Sequence, residues 1–569
     1  MAYRWFKPEN IKSIPEMLYD AVKKYKDKPA LIFHGLKISY AELYNLSSKV
    51  SQEVTSKTWP NSRIAIMMPN LPQFVICYYA TLMSGRIAVP IKLFSIINDL
   101  KSKRVSQIKI TDDIKNEIVE TRPDIIFVVD FLYPVLMQAG INWPCTIVVT
   151  SPADFLPFPI KYLYPLAAYL KGRYVAINSN VPRLKNWIEN HPEIAEPAKT
   201  RQLNINLTAQ FQFTGGTTGN DKAVILTHGN LSNNILQMRE AVGDLLNDGQ
   251  EVVLGALPFF HVYGLTVSLN TTLLCLGGTV VLVPEFKPKE ILKIIKKYRV
   301  TLFPGVNLMY QKLVDRKINA TRDDLASLKL CVSGAGPIDQ EIVEAFKKLT
   351  GAIFIEGYGL SETSPVIAVA MPEDLAKKKL GANVLGKPVP GTLVRITDDS
   401  GKGMPAETAG EIAVRGNQVM KGYFNKPEET AEVLKDKWLY TGDIGYIDKD
   451  NCIFLIERKK EMIKLMGENV YASRIEEVVK KCPMIQEAYV IGVPDKKTGE
   501  AIIGCVTIKP GLEKLGVENQ IILFCKLSSA IQFGPSQVLV FDSFDDFKNP
   551  IGKILKRKLR EEVLKKLNA

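Results

Sequence analysis

Histidine is scarce in this chain of 569 residues: four in all, at 34, 191, 228 and 261. So few, so scattered, exclude a histidine-rich metal site and leave oxygen-ligated Mg²⁺ as the metal to expect. The eight cysteines lie far apart and form no Cys-x-x-Cys pair. That spacing disfavours a zinc ribbon or a redox dithiol and fits reduced core residues of a cytosolic protein. The N-terminus, Met-Ala-Tyr-Arg-Trp-Phe-Lys-Pro, lacks the apolar run of a secretory signal. Internal repeats and low-complexity tracts are missing. No basic patch interleaved with aromatics is present, so a nucleic-acid partner is not expected.

Between Glu251 and Glu285 there is no Asp, Glu, Lys or Arg, a gap long enough to cross a bilayer. Gly255, Pro258, His261, Gly264, Asn270, Gly277, Gly278 and Pro284 interrupt it. The pattern predicts a strand, a polar loop, a buried helix near 264–276 and a β-rich run, Thr279–Val283. The formal charge of +13 is densest at 287–299, 456–464 and 548–566. Such a surface suits an anionic ligand or an acidic membrane face, although most of these lysines read as solvated helix faces.

At this length two to four domains are expected. Apolar strands alternate with helices from residue 30 to 150, as in Arg63–Met68, Phe74–Met83, Ile87–Ile91 and Asp124–Val129, which argues for parallel sheets. Residues 155–170 are aromatic, apolar and broken by proline. They read either as a packed surface excursion or as an apolar lip facing a membrane or a greasy substrate. From 385 the texture changes to short strands with many turns. After 460 comes an α/β stretch with helices at 474–481, 518–530 and 552–566. The expected architecture is α/β: an N-terminal domain, 1–459, of doubly wound sheets with a β-rich subdomain at 385–459, then a small α+β domain, 460–569.

What the chain does contain is a loop built for phosphate. Thr214-Gly-Gly-Thr-Thr-Gly219, followed by Lys222, offers glycines for tight turns and exposed N–H groups, hydroxyl donors and a cation. It lacks the Gly-Lys pair of the common P-loop, and a plain Thr/Gly turn is the competing reading. Other strands end in glycine-rich loops, Ser333-Gly-Ala-Gly-Pro337 and Glu356-Gly-Tyr-Gly-Leu-Ser-Glu362. Loops of this kind place ligands at the carboxyl edge of a sheet.

Together with Leu257-Pro-Phe-Phe-His-Val-Tyr-Gly264, Gly410-Glu-Ile-Ala-Val-Arg-Gly416, Tyr440-Thr-Gly-Asp-Ile-Gly445, Arg458–Glu477 and Gly552-Lys-Ile-Leu-Lys-Arg557, these stretches resemble in kind and order the adenylate-forming superfamily. The resemblance runs from about residue 12 to 563 and is greatest to long-chain fatty acyl-CoA synthetases. It implies ATP, Mg²⁺ and CoA as cofactors and co-substrates. A fatty acid becomes an acyl-adenylate and then acyl-CoA, releasing AMP and pyrophosphate. Medium-chain or aryl acids, and loading of a separate acyl carrier protein, stay open, as do self-association and peripheral membrane contact.

Carried over by resemblance, Thr214, Gly215, Gly216, Thr217, Thr218, Gly219 and Lys222 cradle the triphosphate, and Glu362 with Thr214 holds Mg²⁺. Gly334, Ala335, Gly336, Glu356, Gly357, Tyr358, Gly359, Leu360 and Ser361 line the adenine slot, with Tyr358 on the base. Asp443 and Arg458 take the ribose hydroxyls, and His261 stands beside the substrate carboxylate. Lys553 bridges carboxylate and α-phosphate. The family's C-terminal domain alternates between two poses. Lys460 stands at the hinge, and Lys464, Gly467 and Glu468 line the pantetheine path. The chain departs from the usual pattern at Ala223, Ser361, Ala472 and Arg474, and in the stretches before Pro535 and Lys553.

Overall fold

Continuous apolar runs such as Ile125-Ile-Phe-Val-Val129 cannot turn one face to water, and in the computed structural model all five of these residues are buried. The structure describes residues 6–192, 202–214, 221–336, 338–377, 382–466, 468–495, 497–512, 516–548 and 554–568. It divides into two compact units. The first comprises 1–367, 389–391 and 416–432, and the second 368–388, 392–415 and 433–569.

The first unit carries a seven-stranded sheet in the order 422–423, 223–227, 208–213, 87–90, 63–67, 125–129, 146–150. From Thr208–Phe213 to Thr146–Thr150 the pairs are parallel, and Ala223–Thr227 folds back antiparallel on Thr208–Phe213. Its second sheet runs 353–359, 330–334, 302–305, 252–255, 279–282, 29–33, 36–39, parallel up to the closing hairpin. Phe303, Tyr310, Phe346 and Phe354 are fully buried beneath this sheet, ring against ring at 4.8–6.1 Å. Each such side chain contributes about 1.5–3 kcal/mol of burial free energy. The parallel α/β class expected for this region is what forms.

The uncharged gap folds as foreseen: a strand at Val252–Gly255, a buried π-helix at Tyr263–Leu276 and a strand at Thr279–Leu282. Gly264 lets that helix start against the preceding loop, since a Cβ there would lie 2.3 Å from the Pro258 carbonyl oxygen. No helix among the described residues is long and apolar enough to cross a membrane.

One local expectation fails. Residues 160–170 are not broken by proline but form a single helix, Ile160–Leu170, with Pro165 inside it. Proline deletes one donor, which leaves the Lys161 carbonyl without its intrahelical partner. Lys161 and Pro165 are both exposed, so water can satisfy that carbonyl.

In the second unit, strands 393–397, 410–415, 438–447, 453–458 and 383–388 pair antiparallel in that order. A five-stranded sheet follows, built on the long hairpin Ile485–Asp495 and Gly499–Ile508, with helices Ala472–Lys480, Val517–Lys526 and Lys556–Asn568. Helix Ala472–Lys480 packs Ile475, Val478 and Val479 into the core of this sheet. All eight cysteines are unpaired, and six of them are buried.

Candidate functional site

The glycine loop hangs from two strands whose ends are tied together. Phe213 faces Ala223 in the ladder. The Thr214 amide donates to the Lys222 carbonyl at 3.0 Å, and the Lys222 amide donates to Thr214 Oγ1 at 3.2 Å. Gly215, Gly216, Thr217, Thr218 and Gly219 lie outside the described residues. Thr227 then caps helix His228–Val242 by accepting from the Asn230 amide at 3.1 Å, so the returning strand runs directly into a fixed helix.

Around this base the structure gathers side chains that local patterning did not single out. Lys222 Nζ pairs with Glu429 at 2.6 Å and lies 4.7 Å from the Tyr423 ring centroid. The ammonium holds the Glu429 carboxyl below its ordinary range. Tyr423 Oη donates to Glu362 Oε1 at 2.7 Å, and the Met420 amide donates to the Glu362 carbonyl at 2.8 Å. Burial and the Glu362 charge push the Tyr423 phenol up, so it stays a donor at neutral pH. Tyr423 thus links Lys222 to Glu362 across the fold.

Tyr423 gets there because Gly422–Tyr423 forms a two-residue strand on Ala223–Thr227, with Tyr423 opposite Val224. Sequence offers no local signal for that pairing. Lys92 is a second such residue. Its Nζ donates to the Thr214 carbonyl at 2.8 Å, contacts Asp221 and lies 3.3 Å from Glu117. Burial raises the Glu117 carboxyl to about 8, with Lys92 opposing.

His261 is partly exposed, and its Nδ1 accepts from the Tyr263 amide at 3.2 Å. Burial, with the Lys92 charge adding to it, lowers the imidazole to about 4. The ring is therefore neutral at pH 7, with its proton on Nε2.

Gly334-Ala-Gly336 and Glu356–Gly359 end neighbouring parallel strands, in register at Ser333 with Glu356 and Gly334 with Gly357. The two segments therefore share one sheet edge. Ala335 sits in the left-handed region at φ +64°, and a Cβ at Gly334 would come within 3.0 Å of the Tyr263 ring. At Gly359 a Cβ would lie 1.8 Å from the Pro365 carbonyl oxygen, which excludes every other residue without backbone movement. Tyr358, Leu360 and Ser361 are partly exposed along this edge.

Within the second unit, Asp443 and Arg458 stand opposite each other on adjacent strands, with Arg458 Nε 2.8 Å from Asp443 Oδ1. Lys460 is exposed on the turn Lys459–Glu461. Lys464 and Glu468 lie on the two arms of one small hairpin, Ile463–Leu465 with Glu468–Val470. Gly467 and Lys553 lie outside the described residues. Just beyond Lys553, Lys556 pairs with Glu476 at 2.7 Å and Glu461 at 3.6 Å. Burial works against its charge, yet these carboxylates raise it.

Among the described residues no three His, Cys, Asp or Glu side chains converge as a metal site. An oxygen-preferring cation would have to find part of its shell on a ligand. A carboxylate oriented by Tyr423 and a hydroxyl at the foot of the glycine loop, Glu362 and Thr214, are donors of the right kind for that.

Parallel sheets ending in glycine-lined loops, followed by a smaller α+β unit, define an α/β protein of nucleotide-enzyme type. Residues 18–424 match the AMP-binding enzyme family and residues 474–546 the AMP-binding enzyme C-terminal domain. The chain belongs to this family. A long-chain-fatty-acid–CoA ligase of Bacillus subtilis (strain 168) is 35% identical over 562 residues, spanning 97% of this chain and 94% of its own. A long-chain-fatty-acid–CoA ligase of Yersinia pestis is 32% identical over 564 residues, spanning 98% and 96%. The crystal structure of ATP-bound MatB from Rhodopseudomonas palustris superposes with a TM-score of 0.77 at 25% identity, covering 96% of this chain and 98% of that one.

Proposed function

We propose that this protein is an AMP-forming fatty acid–CoA ligase acting on long-chain acids. The observation that carries the reading is family membership joined to relatives of that activity along almost the whole chain. The carboxylate attacks the α-phosphorus of ATP, expelling pyrophosphate. The CoA thiolate then attacks the acyl-adenylate carbonyl, expelling AMP. In the first step two anions meet, so cations and N–H donors must spread negative charge.

Family membership supports a role for each site residue, and for the described ones the geometry is consistent with it. Lys222, with Gly215, Gly216, Thr217, Thr218 and Gly219, contacts the triphosphate, and its pairing with Glu429 parks the ammonium until phosphate replaces the carboxylate. Thr214 and Glu362 would hold Mg²⁺, which supplies charge neutralisation at the phosphates. His261, neutral with Nε2–H, is a hydrogen-bond donor to the acid's carboxylate rather than a cation. Gly334, Ala335, Gly336 and Glu356–Ser361 form the adenine slot, and Asp443 with Arg458 binds the ribose. Lys553 bridges the two reactants, a domain 460–569 pivots at Lys460, and Lys464, Gly467 and Glu468 serve CoA.

The test is AMP release with CoA across saturated acids from acetate to arachidate, with benzoate and coumarate beside them. A maximum at long chains is expected. Turnover confined to aryl acids, or dependence on a phosphopantetheinylated carrier in place of CoA, would overturn the assignment.

A further inference from the structure

Helix Ile160–Leu170 turns its more apolar stripe outward. Tyr162, Leu163, Leu166, Tyr169 and Leu170 recur at i, i+1, i+4, i+7 and i+8, a face roughly 120° wide at about 100° per residue. All are more than half exposed, from 59% for Leu163 to 76% for Leu170, and Phe158 just before the helix is 79% exposed. On the opposite side Ala168 is buried and Tyr164 partly so, which fixes the helix to the body. A monomeric protein seldom leaves so many large apolar side chains together in water.

The segments bearing this face lack acidic residues of their own. The nearby acids Asp130 and Asp154 act on Tyr164, on the side away from the apolar stripe, and Asp154 is taken up by the Thr150 hydroxyl and the Ser151 amide. Residues 155–188 contain no Asp or Glu, and neither do residues 100–111. The two segments are joined: the Val105 amide donates to the Gly172 carbonyl at 3.0 Å, and Arg173 Nη2 donates to the Leu100 carbonyl at 3.1 Å. Lys161 and Lys171 on the helix, and Lys101, Lys103 and Arg104 on the joined segment, are all exposed. Asp99, the acid just before the joined segment, is already paired with Lys103 at 2.9 Å.

We infer that this face is an interfacial anchor that docks the protein on an anionic lipid bilayer. The helix has 11 residues, too short to cross and well suited to lie in the headgroup plane with leucines down and tyrosines at the boundary. A cationic rim around an apolar centre complements a negatively charged leaflet. A protein partner would have to match both features with an acidic ring around an apolar pit, whereas every anionic membrane offers them. The docking itself stands on these residues. Its purpose, taking an acid that partitions into lipid directly from the bilayer, rests on the ligase reading above.

The experiment is sedimentation of the full-length protein with sucrose-loaded vesicles of phosphatidylglycerol and phosphatidylcholine, against phosphatidylcholine alone, without ATP, CoA or fatty acid. Binding to the anionic vesicles is expected, weakening as salt rises from about 0.1 to about 0.5 M. Leu166→Asp/Leu170→Asp should lower partitioning at least about tenfold with an unchanged thermal melt. Lys101→Glu/Lys103→Glu provides a second reading in case the apolar variant misfolds, and should lose most of the preference for phosphatidylglycerol. Wild-type protein that stays in the supernatant, or folded variants that sediment like wild type, would overturn the inference. So would sedimentation equilibrium showing that Leu166→Asp/Leu170→Asp dissolves a dimer, because the face would then belong to a second copy. Since no substrate is present, failure of the ligase reading would leave this measurement untouched.

Discussion

Arg458 and Asp443 face each other across an antiparallel pair of strands, with Nε 2.8 Å from Oδ1. The carboxylate side chain is 1% exposed while the guanidinium is 34% exposed. The pair therefore holds a buried acceptor in place beside a partly exposed cation. Replacing Arg458 by Ala should destabilise the protein by roughly 1–3 kcal/mol, the guanidinium's exposure keeping the loss below that of a fully buried pair. Under the proposed ribose role it should also raise the KM for ATP about tenfold or more. Urea melts and ATP–pyrophosphate exchange read the two effects separately, and an unchanged KM would remove Arg458 from the nucleotide site.

Tyr423→Phe tests the link between Lys222 and Glu362. The ring over Lys222 is kept and only the 2.7 Å donor to Glu362 is lost. Stability should fall by about 1 kcal/mol or less. If Glu362 holds Mg²⁺, the adenylation rate should fall and the Mg²⁺ concentration for half-maximal exchange should rise. A variant with wild-type Mg²⁺ dependence would show that Tyr423 only packs.

Gly359→Ala should be damaging out of proportion to one methyl group, because the new Cβ meets the Pro365 carbonyl oxygen at 1.8 Å. Backbone has to move, at a cost of at least about 2 kcal/mol. The same movement shifts the edge shared with Gly334–Gly336. Equilibrium dialysis of AMP should therefore weaken along with the urea midpoint.

Lys553→Ala addresses the two half-reactions. It should abolish ATP-dependent adenylation, read by pyrophosphate exchange. It should spare much of the conversion of a supplied acyl-adenylate to acyl-CoA. Equal loss of both would end the division of labour proposed between Lys553 and the segment after Arg458.

Glu457 gives a pH prediction. Burial raises its carboxyl to about 8, against the pull of Lys556 and helped by Glu476 and Glu461. In the unfolded chain it titrates near about 4.3. Between these values the unfolded state releases its proton first. Its contribution is therefore complete at acid pH, declines by up to about 1.4 kcal/mol per pH unit, and is gone above about pH 8. Glu457→Gln should flatten this slope between about pH 5 and about pH 8. Urea midpoints that fall as steeply in the variant would assign the slope elsewhere, to Glu117, whose carboxyl is raised in the same sense.

Much of the fold was legible because it rests on local pattern. Apolar strands next to amphipathic helices specify parallel layers, and glycine clusters at strand ends mark where the chain must turn beside a neighbour. The uncharged gap at 252–284 was readable for the same reason: glycines and prolines divide it into short pieces. Residues 160–170 were misread, since the hydrogen bond that Pro165 removes costs little where water reaches the freed Lys161 carbonyl, and exposure is not written in the local sequence. Lys92, Tyr423 and Glu429 escaped notice. None carries a motif, and each reaches the base of the glycine loop from a distant part of the chain.

The order of motifs in the sequence pointed by resemblance to the class of chemistry, because such motifs are short segments with fixed backbone demands. The family and relatives matched along the chain agree with it. By resemblance the sequence also nominated Thr214, Lys222, Glu362, Asp443 and Arg458 as residues of the proposed site. Only tertiary structure decided how they are held. Long-range pairing places Tyr423 between Lys222 and Glu362, register sets Arg458 on Asp443, and burial with the nearby Lys92 charge lowers the His261 imidazole below its ordinary range. Those outcomes depend on solvent exclusion, on strand register and on contacts between residues as far apart as Lys222 and Tyr423, which no local pattern encodes.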